Sequence, residues 1–286
     1  MAEADVAVAK PTPGFWESFA CCASRQDEND AEGIVSPLPH DEGRLSKVEE
    51  ELVERPETEV EAGAKYKGQW LGSQCHGKGV LTRPDGSSYE GYFSNGRAHG
   101  YGKFKAANGN VYEGDWYQDR AQGEGTYTHE DGSTYVGQWL QDEKSGKGME
   151  KWADGSKYEG EFLQGSKHGQ GTYTAANGKV VYEGQFSADR MDGTGTYHFS
   201  DGRVYTGAWQ KGDMSGMGTM TWPDGSKYEG EYRNDFRHGH GTLTWPDGRK
   251  YKGQWNNGKQ DGEGVMVDSL GNATKSRWKN GSPVEE

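Results

Sequence analysis

The sequence is poor in the residues that build a thick hydrophobic core. Only 31% of its 286 residues are hydrophobic, whereas 46 are glycine and the rings are supplied by 10 Trp, 16 Tyr and 8 Phe. A layered globular domain needs many aliphatic side chains at close-packed density. No stretch approaches the roughly 18 consecutive apolar residues of a membrane-spanning helix. The composition therefore argues against an ordinary globular core and against a membrane span.

Cysteine and clustered basic charge are scarce as well. Three cysteines, two of them adjacent, do not make a disulfide framework. The N-terminus lacks the basic and then apolar pattern of a secretory signal, so we expect a cytoplasmic chain. The net charge is −13, and residues 1–63 alone carry 16 acidic and 5 basic side chains. Nucleic-acid binders concentrate Lys and Arg on one face, so we predict no nucleic-acid partner.

What the chain has in abundance is an internal repeat, which is the first feature to settle in any sequence. Nine tyrosines recur at steps of 23 residues, with one step of 24, and each begins Tyr-x-Gly. They are Tyr66, Tyr89, Tyr112, Tyr135, Tyr158, Tyr182, Tyr205, Tyr228 and Tyr251. We number the repeats 1 to 9 from these tyrosines, and give each position as an offset from its tyrosine.

A second ring stands at offset +4, and two further glycines stand at +11 and +13. The rings at +4 are Trp70, Phe93, Trp116, Trp139, Phe162, Phe186, Trp209, Tyr232 and Trp255. Most repeats end in Asp-Gly or Asn-Gly, and Trp278 keeps the spacing of a truncated tenth repeat. Offset +15 is apolar except in repeat 4, where it is Glu150.

The spacing predicts the architecture. Offsets 0, +2 and +4 share one face of a strand, with polar residues between them, and the segment from +11 to +15 alternates likewise. Gly- and Asn-containing turns separate the two segments, so each repeat is a β-hairpin. We predict an all-β, elongated, single-layer antiparallel β-hairpin solenoid. The extra residue near Val180-Val181 predicts a β-bulge.

The glycines suggest how such a sheet has a core. A flat ring lies over a neighbouring strand only where no Cβ intervenes. We therefore expect the Tyr and Trp rings to pack on glycines of the adjacent strand, in a core one side chain thick. The alternative is that the glycines only form turns.

We divide the chain into a leader, residues 1–63, the repeats, residues 64–281, and a tail, residues 282–286. The leader is acidic and interrupted by proline, which predicts a largely disordered segment. Residues 44–54 predict a short helix that either packs on the first hairpin or binds a partner. Cys21 and Cys22 adjoin apolar rings, and they are either S-palmitoylated or an unmodified pair.

No catalytic, cofactor or metal site is predicted. Histidines recur at offset +10 in His76, His99, His168 and His238, but equivalent residues of adjacent hairpins lie about 10 Å apart. Ligands of one metal lie much closer together. The Gly-x-Gly pairs precede neither a Gly-Lys-Ser/Thr motif nor a helix, so they are not phosphate loops. We predict a protein without enzymatic activity.

The repeat resembles the MORN repeat (membrane occupation and recognition nexus). The similarity is carried by Tyr158-Glu159-Gly160-Glu161-Phe162, by His168-Gly169-Gln170-Gly171, and by the matching residues of repeat 8. The family favours His at +10, where this chain also has Gln122, Ser145, Asp192, Ser215 and Asp261. The resemblance implies an elongated scaffold of the cytoskeleton, the cilium or a membrane, with self-association through terminal repeats.

Two functions remain open on the sequence. One is a scaffold that binds other proteins, with a homodimer formed through the C-terminal edge near Trp278. The other is a peripheral module that binds anionic phospholipid such as phosphoinositide. Lipid binding needs basic side chains on one face, for which the candidates are Lys65, Lys67, Lys78, Arg249, Lys250 and Lys252.

Overall fold

A computed structural model of the chain describes residues 51–284. They form 21 strands of one antiparallel sheet, and this part of the chain contains no α-helix. The strands are β1 Val53–Glu59, β2 Lys65–Leu71, β3 Gln74–Thr82, β4 Ser88–Ser94, β5 Arg97–Lys105, β6 Val111–Tyr117, β7 Arg120–Thr128, β8 Thr134–Leu140, β9 Glu143–Lys151, β10 Lys157–Leu163, β11 Ser166–Thr174, β12 Val180–Ser187, β13 Arg190–His198, β14 Val204–Gln210, β15 Asp213–Thr221, β16 Lys227–Arg233, β17 Phe236–Thr244, β18 Lys250–Asn256, β19 Lys259–Val267, β20 Ala273–Lys279 and β21 Ser282–Val284. The predicted antiparallel all-β sheet of hairpins is confirmed.

The described residues divide into two units. The N-terminal unit comprises residues 51–130 and Trp139–Glu143, and the C-terminal unit comprises Asp131–Gln138 and residues 144–284. In the N-terminal unit each strand from β1 to β7 pairs with the next one along the chain. In the C-terminal unit the same holds from β9 to β21. Pairing between sequence neighbours is what a hairpin repeat requires.

Two kinds of turn connect the strands. Inside a repeat, two residues with positive φ link the strands, such as Asn95 (φ 51°) and Gly96 (φ 78°). Positive φ at both positions gives the turn that matches the twist of a β-hairpin. Between repeats, Gly86 has φ 88° and Asp85 Oδ1 accepts a hydrogen bond from the Ser87 N–H at 2.8 Å. The turn residues seen in the sequence therefore have the predicted roles.

The core is a column of rings on one face of the sheet. Tyr66 packs edge-on between the ring of Trp70, at 5.3 Å, and that of Phe93 in the next repeat, at 5.0 Å. A Cβ added to Gly79, at offset +13, would lie 2.3 Å from the Tyr66 hydroxyl oxygen. A side chain there would overlap the ring. The prediction that rings pack directly on glycine backbone is confirmed for the tyrosines.

The glycine at +11 serves a different purpose from the one at +13. Gly77 has φ 62°, and it lies in a bulge where the pairing shifts from Gly68–Gly79 to Trp70–Cys75. In the same bulge Gln69 Oε1 accepts a hydrogen bond from the Lys78 N–H at 2.8 Å. Glycine is favoured here by its backbone conformation. Only one of the two glycines in Gly-x-Gly therefore contacts the ring.

The extra residue at the end of repeat 5 forms the predicted bulge. Tyr173 pairs with Tyr182 and Thr174 pairs with Val180, so Val181 has no partner of its own. The insertion leaves the tyrosines of repeats 5 and 6 in register. A bulge absorbs one residue without moving the ring column.

Both ends of the repeats depart from the sequence prediction. Val53 and Glu54 were expected in the helix of residues 44–54, but they begin β1, which pairs with β2. The exposed edge of β2 offers backbone partners, and Pro56 is tolerated where the register shifts between Arg55 and Thr58. Glu51 and Leu52 are not helical either, whereas residues 44–50 and most of the leader lie outside the described residues. Residues 282–284, assigned to a tail, form β21.

Candidate interaction surfaces

The rings that the sequence singled out are held by hydrogen bonds as well as by packing. The Tyr112 hydroxyl donates to the Asp115 carbonyl oxygen at 2.9 Å, and the Trp116 indole N–H donates to that of Gly102 at 3.1 Å. All nine rings at offset +4 are buried. Burial raises the pKa of Tyr127 to about 12, because the ionised phenolate would lose its hydration. The ring column is a structural element and offers no surface to a partner.

The recurring histidines do not come together as a metal site. No group of three or more His, Cys, Asp or Glu side chains within residues 51–284 is placed to hold a metal ion. His76, in β3, lies beside the hairpin turn of repeat 2, where its Nδ1 is 3.4 Å from the Asn95 amide nitrogen. The ring of His99 lies 5.3 Å from that of Tyr117. These contacts agree with a structural role at the turns.

The face opposite the ring column carries exposed rings in the N-terminal unit. Tyr92, Tyr101 and Tyr117 are each about half exposed. The Tyr101 hydroxyl donates to Glu113 Oε1 at 3.1 Å, and Lys78 Nζ lies 5.3 Å from the centre of the Tyr92 ring. Exposed tyrosines supply large, stiff contact area and are common where proteins bind one another. They make this face a candidate for partner binding.

The ring face of the C-terminal unit contains a buried ion cluster at the unusual Glu150. Its Oε1 lies 2.5 Å from Lys144 Nζ, and its Oε2 lies 3.8 Å from Lys167 Nζ. All three side chains are buried. Desolvation lowers the pKa of Lys167, and the Glu150 carboxylate opposes that shift. Sequence analysis noticed Glu150 but missed both lysines, although both stand at offset +9 of consecutive repeats.

Aspartates in the hairpin turns link successive repeats. Asp142 Oδ1 accepts a hydrogen bond from the Ala121 N–H at 2.7 Å, and Asp119 Oδ1 accepts one from the Ala98 N–H at 2.8 Å. Desolvation raises the pKa of Asp142 to about 6, which outweighs the opposite effect of the hydrogen bond. These carboxylates join one hairpin to the next.

The two edges of the sheet differ. At the N-terminal edge β1 is exposed along its whole length and includes Pro56 and three glutamates, Glu54, Glu57 and Glu59. At the C-terminal edge β21 pairs only with Arg277 to Lys279 of β20. Among residues 51–284, residues 273–276 of β20 therefore pair with β19 alone. Proline and charge discourage edge pairing, whereas an uncovered strand invites it.

Trp278 marks this C-terminal edge. Its ring lies 5.2 Å from that of Tyr251 in the preceding repeat. Offset 0 of its own repeat is Thr274 instead of a tyrosine, so Trp278 lacks the ring contact that a tyrosine of its own repeat would supply. Its indole nitrogen is buried without a hydrogen-bond partner among the described residues. The matching indole of Trp255 donates to the Gly241 carbonyl oxygen at 3.2 Å. The last repeat is thus incompletely packed.

The remaining candidates from the sequence are two cysteines and six basic residues. Cys21 and Cys22 lie outside the described residues. Of the basic candidates, Lys67 and Lys78 are exposed on β2 and β3, and Lys65 lies 3.4 Å from Glu57. In the C-terminal unit Lys252 is exposed, Lys250 is half-buried, and Arg249 Nε lies 2.6 Å from Asp247 Oδ2. Among residues 51–284, no helix is long and apolar enough to cross a membrane.

Comparison with solved structures finds proteins of low identity. The chain is similar to the TCP domain of SAS-4 (dCPAP) from Drosophila melanogaster, solved with a proline-rich motif of Ana2 (dSTIL), at 14% identity and a TM-score of 0.26, covering 74% of this chain and 96% of that one. The wild-type TCP10 domain of Danio rerio CPAP matches at 16% identity and a TM-score of 0.22, covering 70% and 99%. A catalytically inactive virginiamycin B lyase from Staphylococcus aureus, solved with quinupristin, matches at 12% identity and a TM-score of 0.15, covering 82% and 73%.

The repeats match a protein-family model, whereas the whole chain matches no single curated protein. No curated protein matches the chain. The family model described as the MORN repeat matches nine consecutive segments, which together cover more than half of the chain. These are residues 66–88, 89–111, 112–134, 135–157, 158–180, 182–202, 205–227, 228–248 and 251–269. The segments begin at the same nine tyrosines whose rings form the buried column. The chain therefore belongs to the MORN-repeat family.

Proposed function

We propose that this protein is a non-catalytic scaffold that binds other proteins and self-associates through its C-terminal edge. MORN repeats generally occur in scaffolds that interact with proteins or membranes. The observation that carries the proposal is the contrast between the two edges. Strand β1 is protected by proline and charge, whereas residues 273–276 of β20 have no second strand partner among residues 51–284. A cytoskeletal, ciliary or membrane-peripheral place in the cytoplasm is part of the same proposal.

Self-association would use a second copy of the same edge. Two β20 strands that pair antiparallel across a two-fold axis form a self-complementary interface. Trp278 would then gain ring contacts that its truncated repeat does not supply. The exposed positive charges of Lys275 and Arg277 on both copies oppose the contact, so we expect the dimer to tighten as salt screens them.

Light scattering after size-exclusion chromatography tests this proposal. We expect the full chain to have the mass of a dimer at high concentration, and Trp278→Asp to shift it to the monomer. The matched control is Val53→Asp, which places the same charge on the opposite edge and should leave the dimer intact. A wild-type monomer at every concentration, or equal loss of the dimer in both variants, would contradict the proposal.

Anionic lipid is the alternative partner, favoured by the exposed Lys67 and Lys78 on one face of β2 and β3. Each basic residue near an anionic surface adds only about 1 kcal/mol. Sedimentation with vesicles of phosphatidylcholine and phosphatidylserine distinguishes the alternatives. Binding that is lost with salt and in Lys67→Ser/Lys78→Ser would favour the lipid module over the protein scaffold.

A further inference from the structure

The buried ion cluster shows what an internal cation on the ring face requires. Lys144, at offset +9, has its ammonium 5.1 Å from the Tyr135 ring centre, and Lys167 has its ammonium 5.1 Å from that of Trp152. Rings attract such cations, but a buried charge still needs an opposite charge. Glu150, at offset +15, supplies a carboxylate to both lysines.

Arg237 occupies offset +9 of repeat 8 and has the same ring contacts without the carboxylate. Its guanidinium carbon lies 4.3 Å from the Trp255 ring centre and 5.6 Å from that of Tyr228. One N–H donates to the Gly258 carbonyl oxygen at 2.8 Å. Among residues 51–284 it forms no salt bridge. The two positions that correspond to Glu150 are apolar, being Leu243 of the same repeat and Met220 of the preceding one.

An open depression of about 200 Å³ lies beside this guanidinium. It is lined by Trp222, Asp224, Ser226, Arg237, Leu243 and Trp245. Desolvation lowers the pKa of Arg237, yet a guanidinium keeps its charge at any ordinary pH. Its N–H groups point in a planar fork, and within residues 51–284 one of them has a protein acceptor.

Asp224 does not serve as the missing carboxylate. Its Oδ1 accepts a hydrogen bond from the Ser226 N–H at 2.8 Å, as part of the turn between repeats. Asp154 makes the same bond to Ser156 in the turn beside the ion cluster, and there Glu150 is still present. The turn aspartate is therefore present both at the ion cluster and at Arg237, and the two regions differ in the side chain at offset +15.

We propose that the depression binds a carboxylate carried by a peptide segment of a partner protein, with an aromatic or aliphatic residue next to the carboxylate. The carboxylate of the peptide would lie beside Arg237 as the Glu150 carboxylate lies beside Lys144. It would accept two hydrogen bonds from the N–H groups of the guanidinium. The apolar neighbour would pack between the indoles of Trp222 and Trp245. That the partner is a protein rests on the proposed scaffold function, whereas the carboxylate site rests on Arg237 alone.

Thermal unfolding of two matched variants tests whether a carboxylate fits this place. Leu243→Glu copies the arrangement of Lys144 and Glu150 within one repeat, so we expect the midpoint to be retained or raised. The control is Leu243→Glu in an Arg237→Gln background, which is the same change at the same half-buried position without the guanidinium. It leaves the new charge unpaired and should lower the midpoint relative to Arg237→Gln alone. Equal destabilisation by Leu243→Glu in both backgrounds would overturn the proposal.

Nuclear magnetic resonance of the labelled indole N–H groups tests binding directly in the full chain. The probes are an acetylated and amidated pentapeptide, Ser-Phe-Glu-Phe-Ser, and its counterpart with Gln in place of Glu. We expect the acidic peptide to shift the Trp222 and Trp245 signals and to bind at least about tenfold more tightly than the neutral one. Signals are assigned with Trp222→Phe and Trp245→Phe.

Variants separate this site from non-specific attraction. Arg237→Gln and Leu243→Glu should both remove the preference for the acidic peptide. Arg203→Gln, which removes an exposed cation already paired with Asp201, should keep it. Equal binding of the two peptides, or a preference unchanged in Arg237→Gln, would overturn the carboxylate site whether or not the protein dimerises. A preference for the acidic peptide in a monomeric protein would keep the site and overturn only the self-association.

Discussion

The same repeat fills the ring face of the sheet in two ways. In the N-terminal unit the neighbours of the ring column are apolar, such as Leu81, Ala98 and Phe104. In the C-terminal unit the equivalent positions of repeats 4 and 5 hold Lys144, Glu150 and Lys167. Glycine at +13 lies against the tyrosine in both regions. The ring–glycine contact therefore defines the repeat, whereas the side chains around it are either apolar or a paired set of charges.

The ion cluster should give the largest effect. Glu150→Gln leaves two buried ammonium groups without a counter-charge, and we expect unfolding to become easier by about 3–5 kcal/mol. The control is the triple change Lys144→Ala/Glu150→Leu/Lys167→Met, which restores residue types found at these offsets in other repeats and should be close to neutral. Denaturant unfolding measures both. If Glu150→Gln left the free energy of unfolding nearly unchanged, the charges of the cluster would be solvated.

The ring–glycine contact should give the next largest effect. A Cβ at Gly125 would lie 2.4 Å from the Tyr112 hydroxyl oxygen, so Gly125→Ala should cost about 1–3 kcal/mol or more from overpacking. Gly132 has open space around it and φ 85°, so Gly132→Ala should cost only the strain of a positive φ, about 1 kcal/mol. Chemical denaturation compares the two. If the order is reversed, the turn conformation of glycine matters more than its contact with the ring.

Replacing the turn aspartate Asp142 should change the stability of the protein least, and should raise it where the other two changes lower it. Because the folded pKa of Asp142 is raised to about 6, above the 3.8 usual for an aspartate, the folded state binds the proton more tightly. Its contribution to stability is present below about pH 4 and is lost as the pH rises through 6. Asp142→Asn keeps the acceptor for Ala121 and should stabilise the protein at pH 7.

We expect a gain of about 1 kcal/mol, allowing for solvent screening of a half-buried group. The pH dependence of stability between 4 and 6 should also flatten, as followed by urea unfolding at each pH. Glu130→Gln removes the same charge from an exposed side chain and should do neither. A loss of stability at pH 7 in Asp142→Asn would mean that the ionised carboxylate is favoured.

Local patterns predicted the hairpins but not every role within them. Gly77 and Gly79 look alike in sequence, yet one adopts φ 62° in a bulge and the other lies against Tyr66. Offsets alone do not distinguish these roles, since glycine satisfies both. The strand β1 was missed because Pro56 and glutamates disfavour strands, and only the uncovered edge of β2 selects it.

The candidate sites were harder to predict than the fold. Lys144 and Lys167 look like ordinary solvated lysines until the pairing of β9, β10 and β11 places them beside Glu150. Arg237 stands at the same offset, but it is half-buried and has Leu243 and Met220 at the two positions of that carboxylate. A search for basic residues at +9 would have found both regions, and the residue type at +15 would have distinguished them.

The sequence by itself determined the period, the alternation within each strand and the turns, because these depend on residues a few positions apart. It thereby determined an antiparallel sheet of hairpins with tyrosines over glycines. Only the folded structure shows which cations at offset +9 have a carboxylate beside them and which part of the edge is covered among residues 51–284. Those outcomes depend on side chains and backbone groups brought together from different hairpins, where burial makes an unpaired charge or an unpaired strand costly.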